Sequence, residues 1–177
     1  SPSNKGSIVI HENKNNIMEE AFRTLRTNLL FMLEADKKVI LITSSRPGEG
    51  KSFVSGNLAV SLAFLGKKVI IVGLDIRKSG LDRVFGFKSQ LNGITNYLSN
   101  PEENKLSDLI ISSGISPNLD ILPRGIIPPN PTELIARPTL EKAIDELKKK
   151  YDIILLDTAP IAMVTDTSLI SRVADIG

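Results

Sequence analysis

The first patterned segment of this chain is helical. Four apolar residues recur at spacings typical of one helical face: Met18, Phe22, Leu25 and Leu29. At about 100° per residue, Glu20, Arg23 and Arg26 fall on the other side of the same helix. The stretch before it, residues 1–16, is polar and rich in asparagine and lysine, which predicts a flexible N-terminal lead-in.

Two later runs predict strands that are buried on both faces. Residues 39–43 are rich in β-branched side chains, and their apolar character is continuous rather than alternating; residues 68–72 are predicted to form a second buried strand. Between them lie a glycine-containing turn at 44–50 and a helical stretch from Lys51 to about Leu65. Gly66 is expected to end that helix in the left-handed conformation that glycine adopts readily.

The rest of the chain continues the alternation of strands and helices. Strands are predicted at 119–122 and 152–156, and helices at 94–98, 106–111, 132–135 and 139–150, with a stiff proline-rich loop at 123–131. This order implies right-handed βαβ crossovers, and hence a three-layer α/β fold with a mostly parallel central sheet and helices on both faces. We expect one domain over residues 17–177. A final helical stretch at 166–174 predicts a further strand beyond Gly177, so the domain is expected to continue past this chain.

Composition narrows the class of protein. The 177 residues are 41% hydrophobic, and 22 basic residues nearly balance 20 acidic ones, leaving a net charge of +2. That balance, without a basic stripe interleaved with aromatics, argues against a nucleic-acid partner. Cysteine is absent, which excludes disulfides and thiolate metal sites and fits a reducing cytosol. No apolar run approaches the roughly 20 residues that a membrane-spanning helix needs.

The turn between the first strand and its helix has the character of a phosphate-binding loop. Backbone N–H groups of such a turn and of the helix N-terminus favour an anion, and glycines let the backbone approach it closely. Lys51 is expected to reach the β- and γ-phosphates, and the hydroxyl of Ser52 to take a Mg²⁺ position. The predicted nucleotide-binding residues are Arg46, Pro47, Gly48, Glu49, Gly50, Lys51, Ser52 and Phe53.

Two aspartates are predicted at the carboxyl ends of parallel strands. Asp75 follows the strand at 68–72, and Asp157 follows the strand at 152–156. The carboxyl ends of parallel strands line the ligand crevice of such a fold, so both carboxylates should face the site of Lys51. Together with Ser52 they are the predicted Mg²⁺ ligands, with Asp157 holding the metal through water.

In this order, the motifs resemble the bacterial tyrosine kinases that regulate capsule and exopolysaccharide synthesis, a branch of the ParA/MinD-like P-loop NTPases. The loop at 46–52, the strand leading to Asp75-Ile76-Arg77-Lys78, and residues 154–160 are similar to that family's Walker A, Walker A′ and Walker B motifs. Glu20, Arg23 and Arg26 resemble its self-association motif. Residues 128–134 resemble its Asn-Pro loop, and 164–166 the segment after Walker B.

The resemblance implies an ATP- and Mg²⁺-dependent protein-tyrosine kinase. Lys51, Asp75 and Asp157 would be its catalytic residues, and its acceptors would be tyrosines in a C-terminal tail, phosphorylated between subunits of a ring. The helix of Glu20, Arg23 and Arg26 would join neighbouring subunits. A transmembrane activator or polysaccharide co-polymerase segment, fused or separate, would hold the domain at the cytoplasmic face of the inner membrane.

Three positions depart from the family pattern. Gly73 stands where the family has the first aspartate of an Asp-x-Asp pair, to which activation of the acceptor hydroxyl is attributed. A general base typically contributes about 10²–10⁴ in rate, so its loss predicts a slow kinase unless Asp75 serves both roles. Ser45 replaces the first glycine of the loop, and the chain has two tyrosines, Tyr97 and Tyr151, but no tyrosine cluster.

Two other functions stay open from the sequence. One is a ParA/MinD-like positioning ATPase, although the signature lysine of that group is replaced here by Arg46, which keeps the charge but not the shape. The other is a nucleotide-binding assembly module without phosphoryl transfer, which Gly73 favours.

Overall fold

The computed structural model describes residues 39–42, 51–75, 80–88, 92–127, 129–130, 133–134 and 138–158. Strands and helices alternate along this part of the chain. In order, they are β1 (Val39–Ile42), α1 (Lys51–Phe64), β2 (Val69–Leu74), α2 (Leu81–Phe85), α3 (Ile94–Ser99), α4 (Leu106–Leu109), β3 (Ile111–Ser112), β4 (Leu119–Leu122), α5 (Thr139–Lys148) and β5 (Ile153–Thr158).

The strands form one sheet in the order β1-β5-β2-β4-β3. β5 runs parallel to both β1 and β2, and β2 runs parallel to β4. The short strand β3 is antiparallel to β4 and lies at one edge. The predicted mostly parallel sheet is therefore confirmed, and β5, the last described strand in the chain, lies between β1 and β2.

Helices pack on both faces of this sheet, as the continuously apolar strands predict. Successive residues of β2 contribute to opposite cores: Val69 and Ile71 pack in the cluster that contains α1 and α2. Ile70 and Val72 pack in the other cluster, with side chains from α3, α4 and α5. Because both faces of the strands are covered, the chain forms the predicted three layers.

Some predicted boundaries are wrong by one or two residues. β2 extends to Leu74, so Gly73 lies inside it, and β5 extends to Thr158, so Asp157 lies inside a strand rather than after it. The helix predicted at 106–111 ends at Leu109, and Ile111 belongs to β3. Neither α2 nor β3 was predicted, because a five-residue helix and a two-residue strand are too short for periodicity to reveal them.

Gly66 ends α1 as predicted. Its φ is +89°, and its N–H donates to the carbonyl of Ala63 at 2.9 Å, which closes the last turn of the helix. In the described residues, no helix has both the length and the apolar character needed to span a membrane. The lead-in at 1–16, the helix of Glu20, Arg23 and Arg26, and the stretch at 166–174 lie outside the described residues.

Candidate functional site

The described polar site lies where β2 and β5 reach their carboxyl ends and α1 begins. In the parallel register of the two strands, Gly73 pairs with Asp157 and Leu74 with Thr158. Asp75 follows β2 directly, so the two predicted aspartates stand on adjacent strands at one edge of the sheet. This is the edge at which parallel α/β sheets bind ligands.

Asp157 is connected to the N-terminal part of α1 by two hydrogen bonds. The hydroxyl of Ser52 donates to its Oδ2 at 2.9 Å, and the hydroxyl of Ser55 donates to its Oδ1 at 3.1 Å. Residues three apart on a helix share one face, which is why both serines reach the same carboxylate. The helix that follows the phosphate-loop sequence is thereby joined directly to the strand that carries the Walker B aspartate.

The two hydrogen bonds compensate for the burial of the Asp157 carboxylate. Asp157 is 1% exposed and Ser55 is fully buried. A carboxylate removed from water is costly unless hydrogen-bond donors replace its solvation, and here each oxygen receives a hydroxyl. The two donors also set the orientation of the carboxylate, because each oxygen is bound to a different side chain.

Gly80, directly before α2, packs against Ser52. A Cβ at position 80 would lie 2.6 Å from Oγ of Ser52 and 2.9 Å from its Cβ, which is closer than van der Waals contact allows. Any larger residue at position 80 would therefore displace the hydroxyl that donates to Asp157. The sequence contains no signal for this contact, since it depends on how the segment before α2 lies over α1.

Gly73 faces the chain that follows β4. A Cβ at this position would lie 3.1 Å from the backbone nitrogen of Arg124 and 3.4 Å from Cδ1 of Leu81. The first distance is tighter than most contacts of a Cβ, and the second is at the lower limit of ordinary van der Waals contact, so a side chain here would press on the backbone of Arg124.

The other predicted site residues are described to different extents by the structure. Asp75 is buried, with 7% of its surface exposed. Lys51 is the first residue of α1, but only its backbone is described. The side chain of Phe53 packs against the core on the α1 face. The loop of Arg46, Pro47, Gly48, Glu49 and Gly50 lies outside the described residues, as do the oligomerisation residues Glu20, Arg23 and Arg26.

Ser55 is a site residue that the sequence reasoning missed. It is a buried polar residue on a helix face that otherwise contributes Leu58, Ala59 and Leu62 to the core. A serine three positions after the predicted metal serine, on a helix expected to pack against a sheet, is the signal that could have identified it.

The oxygen donors at this end of the sheet suit a hard divalent cation. A serine hydroxyl and two buried carboxylates offer oxygen atoms only, which Mg²⁺ prefers, and Mg²⁺ commonly takes one or two carboxylates with phosphate and water as its remaining ligands. Ser52, Asp75 and Asp157 are thus compatible with a Mg²⁺–nucleotide complex.

Comparison with known proteins identifies the family of this chain. Residues 37–175 match the model of a family described as AAA domain. The chain is 39% identical over 157 residues to the tyrosine-protein kinase CpsD of Streptococcus agalactiae serotype III, which covers 89% of this chain and 66% of that protein. It is 34% identical over 178 residues to the tyrosine-protein kinase YwqD of Bacillus subtilis, covering 97% of this chain and 73% of that protein. The chain thus spans just under two thirds of CpsD.

Solved structures agree with these relatives. The chimerical protein CapA2B2 superposes with a TM-score of 0.85 at 36% identity, over 96% of this chain and 76% of that one. The kinase domain of the Escherichia coli tyrosine kinase ETK gives 0.80 at 32% identity, over 88% and 60%. The septum site-determining protein MinD from Pyrococcus horikoshii, complexed with Mg-ADP, gives 0.62 at 30% identity, over 76% and 54%.

Proposed function

Since this chain belongs to the bacterial tyrosine-protein kinase family within the P-loop ATPases, we propose that it binds Mg-ATP and transfers the γ-phosphoryl group to tyrosine hydroxyls. The observation that carries the proposal is the hydrogen bond of 2.9 Å between Ser52 and Asp157. It brings the serine of the phosphate-loop motif and the aspartate of the Walker B motif to one point, as metal-assisted phosphoryl transfer requires.

The chain's own residues have separate roles in this reaction. Lys51 neutralises charge that develops on the transferred group, and the backbone N–H groups at the start of α1 orient the phosphates. Bound Mg²⁺ would supply charge neutralisation between the β- and γ-phosphates. Ser52 would hold the metal directly, with Asp75 and Asp157 beside it. Asp157 keeps its orientation through Ser55 when Ser52 turns towards the metal.

Acceptor activation is where this chain differs from its family pattern. With Gly73 in place of the first Walker A′ aspartate, Asp75, directly after β2, is the remaining carboxylate of this motif that could accept the tyrosine proton. It would then serve both metal and acceptor, so we propose a slow kinase.

The cellular role follows from the named relatives. One relative, from Klebsiella pneumoniae, is named as a putative tyrosine-protein kinase in the cps region, with 39% identity over 166 residues. We propose that this chain regulates capsule or exopolysaccharide synthesis and export, at the cytoplasmic face of the inner membrane with a transmembrane activator. Subunits would assemble into a ring through the helix of Glu20, Arg23 and Arg26, and phosphorylate C-terminal tyrosines in trans.

The test uses the natural full-length protein incubated with Mg-ATP, with phosphotyrosine read by mass spectrometry. Phosphate on tyrosines that depends on Lys51, with the Lys51→Met variant as control, is the expected result. Mixing the wild type with a mass-tagged Lys51→Met copy should place phosphate on the tagged copy, because transfer in trans does not need an active acceptor. Nucleotide binding without any phosphotyrosine would overturn the kinase proposal.

The absence of phosphotyrosine would favour a second function. Position 73 carries no carboxylate, and a Cβ there would lie 3.1 Å from the backbone nitrogen of Arg124, which favours a nucleotide-gated assembly module. Ring formation that follows nucleotide binding, in a protein without transferase activity, would support that alternative. ATP hydrolysis stimulated by DNA or lipid, again without phosphotyrosine, would favour a ParA/MinD-like positioning ATPase.

A further inference from the structure

Two lysine-containing turns lie next to each other at the end of the sheet where the parallel strands β2 and β5 begin. This end is opposite the Ser52–Asp157 site. Lys67 and Lys68 lead into β2, while Lys149 and Lys150 follow α5 and lead into β5. Because β2 and β5 are paired in parallel, with Val69 opposite Ile153, the two turns lie side by side. Chain segments more than 80 residues apart in sequence therefore place their positive charges on one surface.

This surface is held rigidly by backbone contacts. The N–H of Lys68 donates to the carboxylate of Asp152 at 2.8 Å, and the N–H groups of Asp152 and Ile153 both donate to the carbonyl of Lys68, at 2.8 and 3.1 Å. The N–H of Lys150 donates to the carbonyl of Leu147 at 3.0 Å. The lysine side chains thus extend from fixed turns, so their spacing is set by the fold.

A shallow cavity of about 450 Å³ opens between the turns. Its lining residues are Lys68, Pro117, Asn118, Asp120, Lys149, Lys150 and Tyr151. The hydroxyl of Tyr151 donates to Oδ2 of Asp120 at 2.7 Å. Asp120 is thereby occupied within the fold, while the ammonium groups of Lys68, Lys149 and Lys150 are exposed. The two acidic side chains at this surface, Asp120 and Asp152, accept hydrogen bonds from the Tyr151 hydroxyl and the Lys68 N–H.

We propose that this surface, the lysine face, docks on an anionic membrane surface. Its contact residues are Lys67, Lys68, Lys149 and Lys150. Exposed lysines on fixed turns suit diffuse attraction to lipid phosphates, since an ammonium group acts as a point charge and does not require a planar partner. A discrete anion that entered the cavity would meet the carboxylate of Asp120, whereas an extended surface contacts the lysines at the rim. The cavity lining also holds no arginine and no aromatic ring besides Tyr151, which disfavours a nucleic-acid strand.

Such docking would fix the orientation of the Ser52–Asp157 site relative to the membrane. With the lysine face against lipid, the carboxyl edge of the sheet points away from the membrane, so nucleotide and acceptor approach from the solvent side. The inference does not rest on the kinase proposal, because it concerns the opposite edge of the sheet and needs no nucleotide.

The test is vesicle co-sedimentation of the natural full-length protein without nucleotide, and also without any separate membrane partner. If the natural chain carries its own membrane-spanning segment, a segment-free form whose fold has been verified by circular dichroism replaces it. Vesicles of phosphatidylglycerol with phosphatidylcholine should bind the protein at low salt, and pure phosphatidylcholine vesicles should not. The variant Lys68→Gln/Lys149→Gln/Lys150→Gln should bind about 100-fold more weakly, since each lysine near an anionic surface contributes about fivefold. High salt should weaken wild-type binding in the same direction.

A matched variant distinguishes the effect of losing the lysine face from the effect of lowering the net charge. Lys88→Gln/Lys105→Gln/Lys142→Gln removes the same three charges from other exposed positions, so both variants change the chain's formal charge from +2 to −1. Equal loss of binding by the two variants would refute the proposal. So would displacement by millimolar inorganic phosphate at constant ionic strength, which would identify a discrete phosphate site, or preferential binding to duplex DNA.

Discussion

At the residue scale, Asp157 joins two hydroxyls that have different proposed roles. Ser52 and Ser55 donate to separate oxygens of the same buried carboxylate. Only Ser52 occupies the metal position of the phosphate-loop motif, while Ser55 lies one turn further into the helix. The pair therefore offers a matched comparison between a metal ligand and a residue that positions the carboxylate.

We expect Ser52→Ala to weaken Mg-ATP binding by tenfold or more, because it removes a proposed metal ligand and a donor to Asp157. Ser55→Ala should retain most of the affinity while lowering stability by about 1–2 kcal/mol, since it leaves one buried oxygen of Asp157 without its donor. Calorimetric titration with and without Mg²⁺, combined with urea unfolding, measures both effects. Equal affinities for the two variants would contradict the metal role of Ser52.

Gly73 provides a second test at this scale. A Cβ there would lie 3.1 Å from the backbone nitrogen of Arg124, so Gly73→Ala and Gly73→Asp should both lower stability, by about 1–3 kcal/mol. If the missing carboxylate limits the proposed kinase, only Gly73→Asp should also raise the rate of tyrosine phosphorylation, by about 10²-fold. The alanine variant controls for crowding. An unchanged rate in the aspartate variant would show that Asp75 already suffices.

At the element scale, two glycines at helix ends are required for opposite reasons. Gly66, after α1, has a φ of +89° and open space around it, so its backbone conformation is what favours glycine. Gly93, before α3, has extended backbone that any residue adopts, but a Cβ would lie 2.2 Å from the carbonyl oxygen of Pro123. The N–H of Ile94 donates to that same carbonyl at 2.8 Å, so α3 is held against the chain that follows β4.

Gly66→Ala is expected to lower the free energy of unfolding by about 1 kcal/mol, the cost of a left-handed conformation in a residue with a Cβ. Gly93→Ala should cost at least about 3 kcal/mol, because backbone atoms on both sides would have to move apart. Thermal unfolding of the two variants ranks them. A larger loss for Gly66→Ala than for Gly93→Ala would contradict this packing.

The elements differ in how far the sequence could predict them. The buried strands and α1 were predictable because a continuous apolar run and a glycine stop are local signals, and Gly66 confirms the stop. The ends of β2 and β5 were not, because Gly73 and Asp157 are poor strand formers that pairing with neighbouring strands keeps in the sheet. The short elements α2 and β3 depend on tertiary contacts alone.

At the scale of the whole molecule, the sequence predicts the layers but not the contacts across the sheet. Alternating strands and helices imply three layers, and the two core clusters confirm them. The convergence of Ser52, Ser55 and Asp157 is predictable only in part, because strand order is not a local property. The contact of Gly80 with Ser52 and that of Tyr151 with Asp120 carry no sequence signal, since each joins segments that are distant in the chain.

The bond between Tyr151 and Asp120 should make global stability depend on alkaline pH. Burial raises the pKa of Tyr151 above its ordinary value of 10.0, and the hydrogen bond to Asp120 and the charge of that carboxylate raise it further. The unfolded chain therefore loses this proton at a lower pH than the folded chain does. The contribution to stability is complete below pH 10 and declines as pH rises through the raised pKa.

Urea unfolding between pH 9 and pH 11 checks this expectation. The wild type should lose stability as pH rises above 10, and Tyr151→Phe should lose less over the same range because it has no phenol to ionise at that position. At pH 9 the variant should already be less stable by about 1 kcal/mol, since Asp120 loses its donor. Parallel pH profiles for the two proteins would exclude Tyr151 as the source.

The central position of β5 has a consequence for the order of events during synthesis. Ser52 and Asp157 are 105 residues apart, and β5 must insert between β1 and β2 after both have left the ribosome. Because synthesis proceeds at about 5–20 residues per second, β5 leaves the ribosome several seconds after β2. A partly translated chain thus holds the phosphate-loop sequence without its Walker B partner. Nucleotide binding that needs both groups can begin only after β5 has emerged, and until then the facing edges of β1 and β2 lack the strand that pairs with both of them.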